Sequence, residues 1–262
     1  MGWRIQHGFR RSFASRGLPL TANDRRQAAF RDRHRRRRAI VIGNGPSLRV
    51  TDLDRLRDEI TFASNKIYLA FDETQWRPTY YSVTDVLVAQ NNRDKIARLE
   101  QEKIFGDSVR AVFRHNRDVL WLHELGNPDP ERGPTFSDDL FRGVWGGFSV
   151  IYIQLQIAFF MGIREVYLIG VDFSFSVPKA TGETSIHGAV LESGGEVNHF
   201  HRDYRTPGEK WTMPHLDGQR RAFTYARDAF DEAGGTIVNC SRQTQLDVIE
   251  RQDFDKVFPE KS

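Results

Sequence analysis

A chain of 262 residues that is 39% hydrophobic and 12% aromatic has enough apolar material for one large domain with a real core. It has no apolar run of 18 residues and no apolar stretch before a small-residue cleavage site. Neither a membrane-spanning helix nor a secretory leader is therefore expected. The single cysteine, Cys240, excludes an internal disulfide and fits a reducing, cytoplasmic setting.

The net charge of +3 hides an asymmetry. Residues 1–38 hold 12 arginines against two acids, about +10, and the remainder is about −7. This basic extension is read as separate from a domain spanning 39–258. Trp3, Ile5, Phe9 and Phe13 recur near helical spacing among Arg4, Arg10, Arg11 and Arg16, a pattern that suits an amphipathic helix on anionic lipid. A solvated head is the alternative. The run Arg35 to Arg38 could touch nucleic acid, but no aromatic-interleaved basic module accompanies it, so a nucleic-acid partner is not expected.

Ala39-Ile-Val-Ile42 reads as a short buried strand, and Gly43-Asn44-Gly45-Pro46 forces a tight loop after it, with Ser47 placed to cap the next helix. A short helix is expected over 51–56, a second strand over 60–63 and a third over 79–83. Residues 86–102 suggest an exposed helix, and 109–113 and 119–122 further strands. Residues 126–139 suggest a loop. Gly146-Gly147-Phe148-Ser149 opens the most apolar helix, 150–161, which Gly162 stops. A buried strand succeeds it over 165–170 and runs into Asp172. Residues 176–214 are rich in Gly, Ser, Thr and Pro, too long for an ordinary connection, and are expected to form a lid. An amphipathic helix over 216–233, a strand over 236–239 and another over 246–249 close the chain. Helix, glycine, strand and carboxylate in succession predict an α/β, Rossmann-like doubly wound, mostly parallel sheet with a lid-like insertion.

In such a sheet ligands lie beyond the carboxyl ends of the strands. Asn44, Asn65, Thr84-Asp85 and Asp172 each sit just past an expected strand, so the fold would gather them on one edge. Each alone is a common turn or cap residue. The Gly43–Ser47 loop could present amides to a phosphate, although it lacks a Walker lysine and the third glycine of a dinucleotide fingerprint. Gly147 and Ser149 start a buried helix whose free N–H groups favour an anion. His199, Phe200, His201 and Asp203 concentrate titratable groups in the lid. A histidine acid or base suits them better than zinc, for which a third ligand is missing. His215 begins the next helix, where capping is expected. No metal or cofactor is expected.

Ile42 to Leu48, Ser64-Asn65 and Gly162 to Phe173 resemble the bacterial CMP-sialic-acid-dependent sialyltransferases. With Thr79 to Asp85, Gly146-Gly147, Asn198-His199-Phe200, Tyr204 and Asn239, the chain is also similar to the 6-hydroxymethylpterin diphosphokinase-like (MptE-like) family associated with surface-glycan loci. The resemblance covers 39 to about 258. It implies a glycosyltransferase that moves an acidic sugar, sialic-acid-like or Kdo-like, from a CMP-activated donor to a glycan or glycolipid acceptor without a metal. On that resemblance Gly43, Asn44, Gly45 and Ser47 face phosphate and ribose and Asn65 contacts the donor, while Pro46 in the same loop and Thr84, Asp85 and Asp172 at strand ends are expected at the same donor site. Gly147 and Ser149 lie near its phosphate, and a late histidine, His199 or His201 or even His215, acts as base. The lid spacing and Ser174, where the sialyltransferases place Tyr, depart from the pattern. Competing readings are a Mg²⁺-dependent diphosphokinase using Asp85 and Asp172, and a non-catalytic nucleotide- or glycan-binding protein. The expected location is cytoplasmic, with peripheral contact at the inner membrane face through residues 1–38.

Overall fold

The computed structural model describes residues 18–126, 135–178, 180–185 and 188–260. Eight strands form one sheet: β1 (Arg38–Ile42), β2 (Ile60–Ser64), β3 (Tyr80–Val83), β4 (Glu102–Gly106), β5 (Val119–Leu122), β6 (Glu165–Ile169), β10 (Thr236–Asn239) and β11 (Glu250–Arg251). Their order is β11-β10-β6-β1-β2-β3-β4-β5 and every pairing is parallel. The helices are α1 (Ala22–Phe30), α2 (Val50–Asp54), α3 (Val86–Asn91), α4 (Arg93–Ala97), α5 (Val150–Phe160), α6 (Leu216–Glu232) and α7 (Phe254–Val257). This is the expected doubly wound α/β architecture.

Both faces of the sheet's centre are covered, which is why β1, β2 and β6 read as largely apolar runs. Ala39, Val41, Phe62 and Tyr80 face α5 and α6, whose Leu155, Ala222, Phe223 and Phe230 complete one core. Ile40, Ile42, Ala63 and Tyr81 face the other way, against Leu53, Ala89, Ile96 and Phe254. Gly162, at φ +81°, ends α5 as expected. Among the described residues no helix is long and apolar enough to cross a membrane.

Several expectations need correction. The single exposed helix over 86–102 is two short helices broken at Asn92, with β4 after them. That strand begins with Glu102 and Lys103 and is apolar only at Ile104 and Phe105, too brief a signal to recognise. Residues 109–113 are not a strand. A 3₁₀ turn over Asp107–Val109 leads into further turns, and Val109 and Phe113 pack at near-helical spacing into the second core. The strand expected over 246–249 is displaced to β11. The lid carries regular structure of its own: β7 (Ala180–Ser185), β8 (Gly188–Glu192) and β9 (Lys210–Thr212) form an antiparallel sheet.

The basic extension is not uniform. Trp3, Ile5, Phe9 and Phe13 lie outside the described residues. Residues 21–30 pack beside the edge strand β5, and 31–37 lead from there past the end of α5 to β1 at the centre of the sheet. Thr21 and Asp24 form a capping box at the start of α1. Phe30 enters the core, and the side-chain amides of Asn23 and Gln27 donate to the Trp121 carbonyl at 2.9 and 3.1 Å. Of the Arg35 to Arg38 run, Arg38 pairs with Glu59 while the other three are exposed.

Candidate active site

The strand order reverses between β1 and β6, so the loops leaving these two strands diverge and open a crevice at their carboxyl ends. Gly43 and Gly45 make the loops meet. The Gly43 N–H donates to the Ile169 carbonyl and the Gly45 N–H to the Gly170 carbonyl, both at 2.8 Å. A Cβ on Gly43 would sit 2.3 Å from the Gly170 oxygen, and one on Gly45 2.6 Å from the Asp172 carboxyl. These glycines therefore serve close packing between loops, and their amides are not free for a phosphate. Ser47 does not cap α2, whose N-cap position is Arg49. Its N–H (2.7 Å) and hydroxyl both donate to the Asp172 carboxylate. Burial pushes the Asp172 carboxyl above its ordinary value, and the two Ser47 bonds oppose this.

A hollow of about 140 Å³ lies beyond this junction, with Asn44, Asn65, Ser149, Asp172, His199 and Tyr204 in its wall. Asn44 is oriented by donating its Nδ2 to the Ser64 carbonyl at 3.2 Å, and its backbone carbonyl accepts the Phe200 N–H at 3.0 Å. Its Oδ1, the Asn65 Oδ1 and the Ser64 hydroxyl are buried and have no partner among the described residues. Orphaned buried groups of this kind call for an explanation, and a water or a ligand that brings its own donors would supply one. Two residues of its wall hold left-handed backbone, Asn65 (φ 54°) and Phe173 (φ 55°), as does Phe148 (φ 59°) just before α5. That concentration of strain is typical of functional sites. The first turn of α5 faces the same space. The Ser149 hydroxyl accepts the Ile151 N–H at 3.3 Å, and Val150 and Ile151 line the hollow. Gly147 is set back, where its φ of +55° lets the chain pass the Tyr152 ring.

A second hollow of about 210 Å³ adjoins the first and shares Asn65, Ser149, Phe175, His199 and Gln219 with it. Thr84, Asp85, Glu124, Trp211 and His215 form its far side. Asp85 is a structural link: one oxygen caps α3 through the Val88 N–H (3.0 Å) and the other accepts the Thr212 hydroxyl (2.9 Å) of the lid. Among the described residues no arginine or lysine lines either hollow, and no three of His, Cys, Asp and Glu gather as a metal site.

The three histidines differ. The His199 ring lies flat on Tyr204, with centroids 3.7 Å apart and planes at 3°, and neither ring nitrogen has a partner among the described residues. Burial, then Arg205 and Lys66, hold it well below the usual histidine value, so it stays neutral. His201 lies outside both hollows and its Nδ1 accepts the Asp203 N–H at 3.1 Å. His215 caps α6, as expected, by accepting the Gly218 N–H at 2.9 Å. Pro46, Ser47 and Gly147 support the walls without lining them.

Sequence reasoning missed the groups that fasten the lid. Lys66, just past β2, is buried and donates to the Tyr204 carbonyl (2.6 Å) and to Glu209 (2.7 and 2.9 Å). Desolvation lowers its pKa although Glu209 opposes the shift. A still larger hollow of about 760 Å³ lies at the amino-terminal ends of β4 and β5, away from these residues. Its charges largely neutralise one another, as in Arg33–Glu102.

The chain shares its fold with a glycosyltransferase. The MAf glycosyltransferase from Magnetospirillum magneticum AMB-1 matches with a TM-score of 0.53 at 14% identity, over 87% of this chain and 37% of that one. The chain thus spans little more than a third of that protein's length. The sialyltransferase CstII from Campylobacter jejuni, solved with the substrate analogue CMP-3FNeuAc, matches with a TM-score of 0.42 at 12% identity. That match covers 82% of this chain and 86% of CstII. No protein-family model and no curated protein matches the chain.

Proposed function

We propose that the crevice transfers an acidic sugar, sialic-acid-like or Kdo-like, from a CMP-activated donor to a hydroxyl of a glycan or glycolipid, with His199 as general base. One observation carries the reading: Asn44, Asn65, Ser149 and His199, drawn from the ends of β1 and β2, the start of α5 and the lid, wall a single hollow at the switch point. The electrostatics narrow the donor. The first turn of α5 is the lining feature that suits the donor phosphodiester, and among the described lining residues no arginine or lysine is placed to hold a di- or triphosphate. The unpartnered Asn44 and Asn65 oxygens suit the amine of a cytosine or ribose hydroxyls.

In this reading the acceptor oxygen attacks the anomeric carbon, the bond to the phosphate oxygen breaks, and CMP leaves with the bonding pair. The acceptor proton passes to His199. Of these three rings it fits best, because the neutral forms of His201 and His215 use Nδ1 as acceptor and so carry their proton on Nε2, although burial, Arg205 and Lys66 make the protonated His199 costly. Metal independence and the remaining donor contacts of Thr84, Asp85 and Asp172 belong to the same proposal. A diphosphokinase using Asp85 and Asp172 fits less well, since the two carboxylates line different hollows and both oxygens of each are engaged.

The test is a melting series with CMP, UDP, GDP and ATP, with and without Mg²⁺. CMP alone is expected to stabilise the chain. His199→Gln is expected to lose transfer by at least about 100-fold and keep the CMP response, while His201→Gln changes it by less than about threefold. Stabilisation by ATP only with Mg²⁺ would select the diphosphokinase. Nucleotide binding without turnover on any donor would select a binding protein.

A further inference from the structure

Tyr204 is 4% exposed and shares the wall of the first hollow with His199. Two backbone bonds fix its place. Its N–H donates to the His201 carbonyl at 3.0 Å, and its carbonyl accepts the Lys66 Nζ at 2.6 Å. Phe200 meets its ring edge-on, with centroids 6.2 Å apart and planes at 73°. On the ring held in this way the His199 imidazole lies flat. A histidine base ordinarily has its plane and tautomer set by a hydrogen bond from its second nitrogen to a carboxylate or carbonyl. His199 has no such bond among the described residues, so the stack is what remains to set its plane. Its edges, which carry the nitrogens, stay open, and the residue lines both hollows.

We infer that Tyr204 is the positioning residue of His199, its ring holding the imidazole plane that a hydrogen-bonded partner would otherwise hold. The inference rests on the reading of His199 as the base and adds the residue that aims it. Two flat rings in contact resist tilting, because a tilt opens a gap on one side and makes a clash on the other. The phenol also covers one face of the imidazole from water without supplying a countercharge. The charges acting on the ring are the cations Lys66 and Arg205. Burial pushes the Tyr204 hydroxyl up to about 12, so the phenol stays neutral wherever His199 titrates. Lys66 ties the arrangement to the sheet. It follows Asn65 past the end of β2, and its bond to the Tyr204 carbonyl fixes where the stack stands against the donor wall.

The experiment records NMR spectra of the full chain with isotope-labelled histidine, in which each imidazole reports its tautomer, its titration and the ring current around it. The His199 signals are assigned by their loss in His199→Gln. Its carbon-bound ring protons lie over the phenol face and are expected upfield of those of His201. Tyr204→Phe keeps the ring and is expected to keep that shift, with titration still well below 6.5. Tyr204→Leu keeps an apolar side chain and removes the ring. The shift is expected to vanish and the titration to move up toward 6.5, because a freed imidazole reaches water. In transfer from CMP-sialic acid, Tyr204→Leu is expected to lower kcat at least about tenfold and change the donor KM less than about threefold, and Tyr204→Phe to restore most of the rate. Ordinary ring-proton positions for His199 in the parent, or unchanged signals in Tyr204→Leu, overturn the inference and leave the base reading in place. Equal loss of rate in Tyr204→Phe and Tyr204→Leu assigns the effect to the hydroxyl and also overturns it. The parent spectrum and Tyr204→Phe decide the matter even where Tyr204→Leu fails to fold. A stack that governs the imidazole in a chain whose His199→Gln variant still transfers upholds the hold on the ring and removes the base reading.

Discussion

Of the described lid histidines, His199 is the one whose ring nitrogens are not taken up by the backbone, and its surroundings give it a measurable signature. The folded ring takes a proton only well below 6.5, whereas the unfolded chain takes it near that value. Between those pH values the unfolded state binds more protons. Stability from this group is therefore complete above about 6.5 and is lost as pH falls below it. His34 is lowered in the same direction by burial and by Arg33 and Arg37, so it adds to the slope. Melting temperatures from about pH 7.5 down to about pH 5 should fall less steeply in His199→Phe than in the parent, and an unchanged slope would show that the ring titrates normally. The strand-end residues Asn44, Asn65 and Asp172 were legible because a parallel sheet places chemistry at its carboxyl edge. The stack of His199 on Tyr204 was not, since two rings in an irregular segment carry no periodic signal.

The clearest elements were the largely buried β1, β2, β6 and α5, whose apolar runs are bounded by glycine or polar turns, and the short apolar runs of β3, β5 and β10 and the amphipathic α6 were legible as well. β4 and the lid sheet escaped because their signals are short or mixed. β7 reads Ala-Thr-Gly-Glu-Thr-Ser and is largely exposed. The junction of lid and sheet is just as silent in sequence, since Lys66 and Glu209 stand 143 residues apart. Their side chains are 8% and 11% exposed, so removing one partner strands a buried charge. Glu209→Gln should cost about 3–5 kcal/mol in urea melts, and the double replacement Lys66→Met with Glu209→Leu should recover most of it. If the single change is neutral, the pair does not hold the lid. Where the β1 and β6 loops meet, Gly43→Ala should destabilise by about 1–3 kcal/mol and weaken the CMP response, because its Cβ would meet backbone that cannot yield easily.

Taken whole, the molecule has a crevice at one end of the sheet and an arginine-rich turn at the other, where residues 31–37 lead from α1 into β1. The membrane contact proposed for residues 1–38 has a direct check. The chain should sediment with vesicles containing anionic phosphatidylglycerol and fail to do so with neutral phosphatidylcholine, and raised salt should release it. Sedimentation that survives deletion of residues 1–17 together with replacement of Arg35, Arg36 and Arg37 by serine would move the lipid contact elsewhere. The large charge difference between the extension and the rest was readable from composition. That residues 21–38 are half tethered to the sheet was not, because the capping box of α1 lies inside an arginine-dense stretch.

The strand order has a consequence for how the protein is made. β1 pairs with β6 along its whole length, from Arg38 opposite Glu165 to Ile42 opposite Ile169, so the central strand waits through more than a hundred residues of synthesis for one of its neighbours. Until then an apolar strand presents an open edge, a template for pairing with another nascent chain. Yield of this protein should therefore depend on translation speed and chaperone supply across that interval, and fragments ending before β6 should accumulate as aggregates.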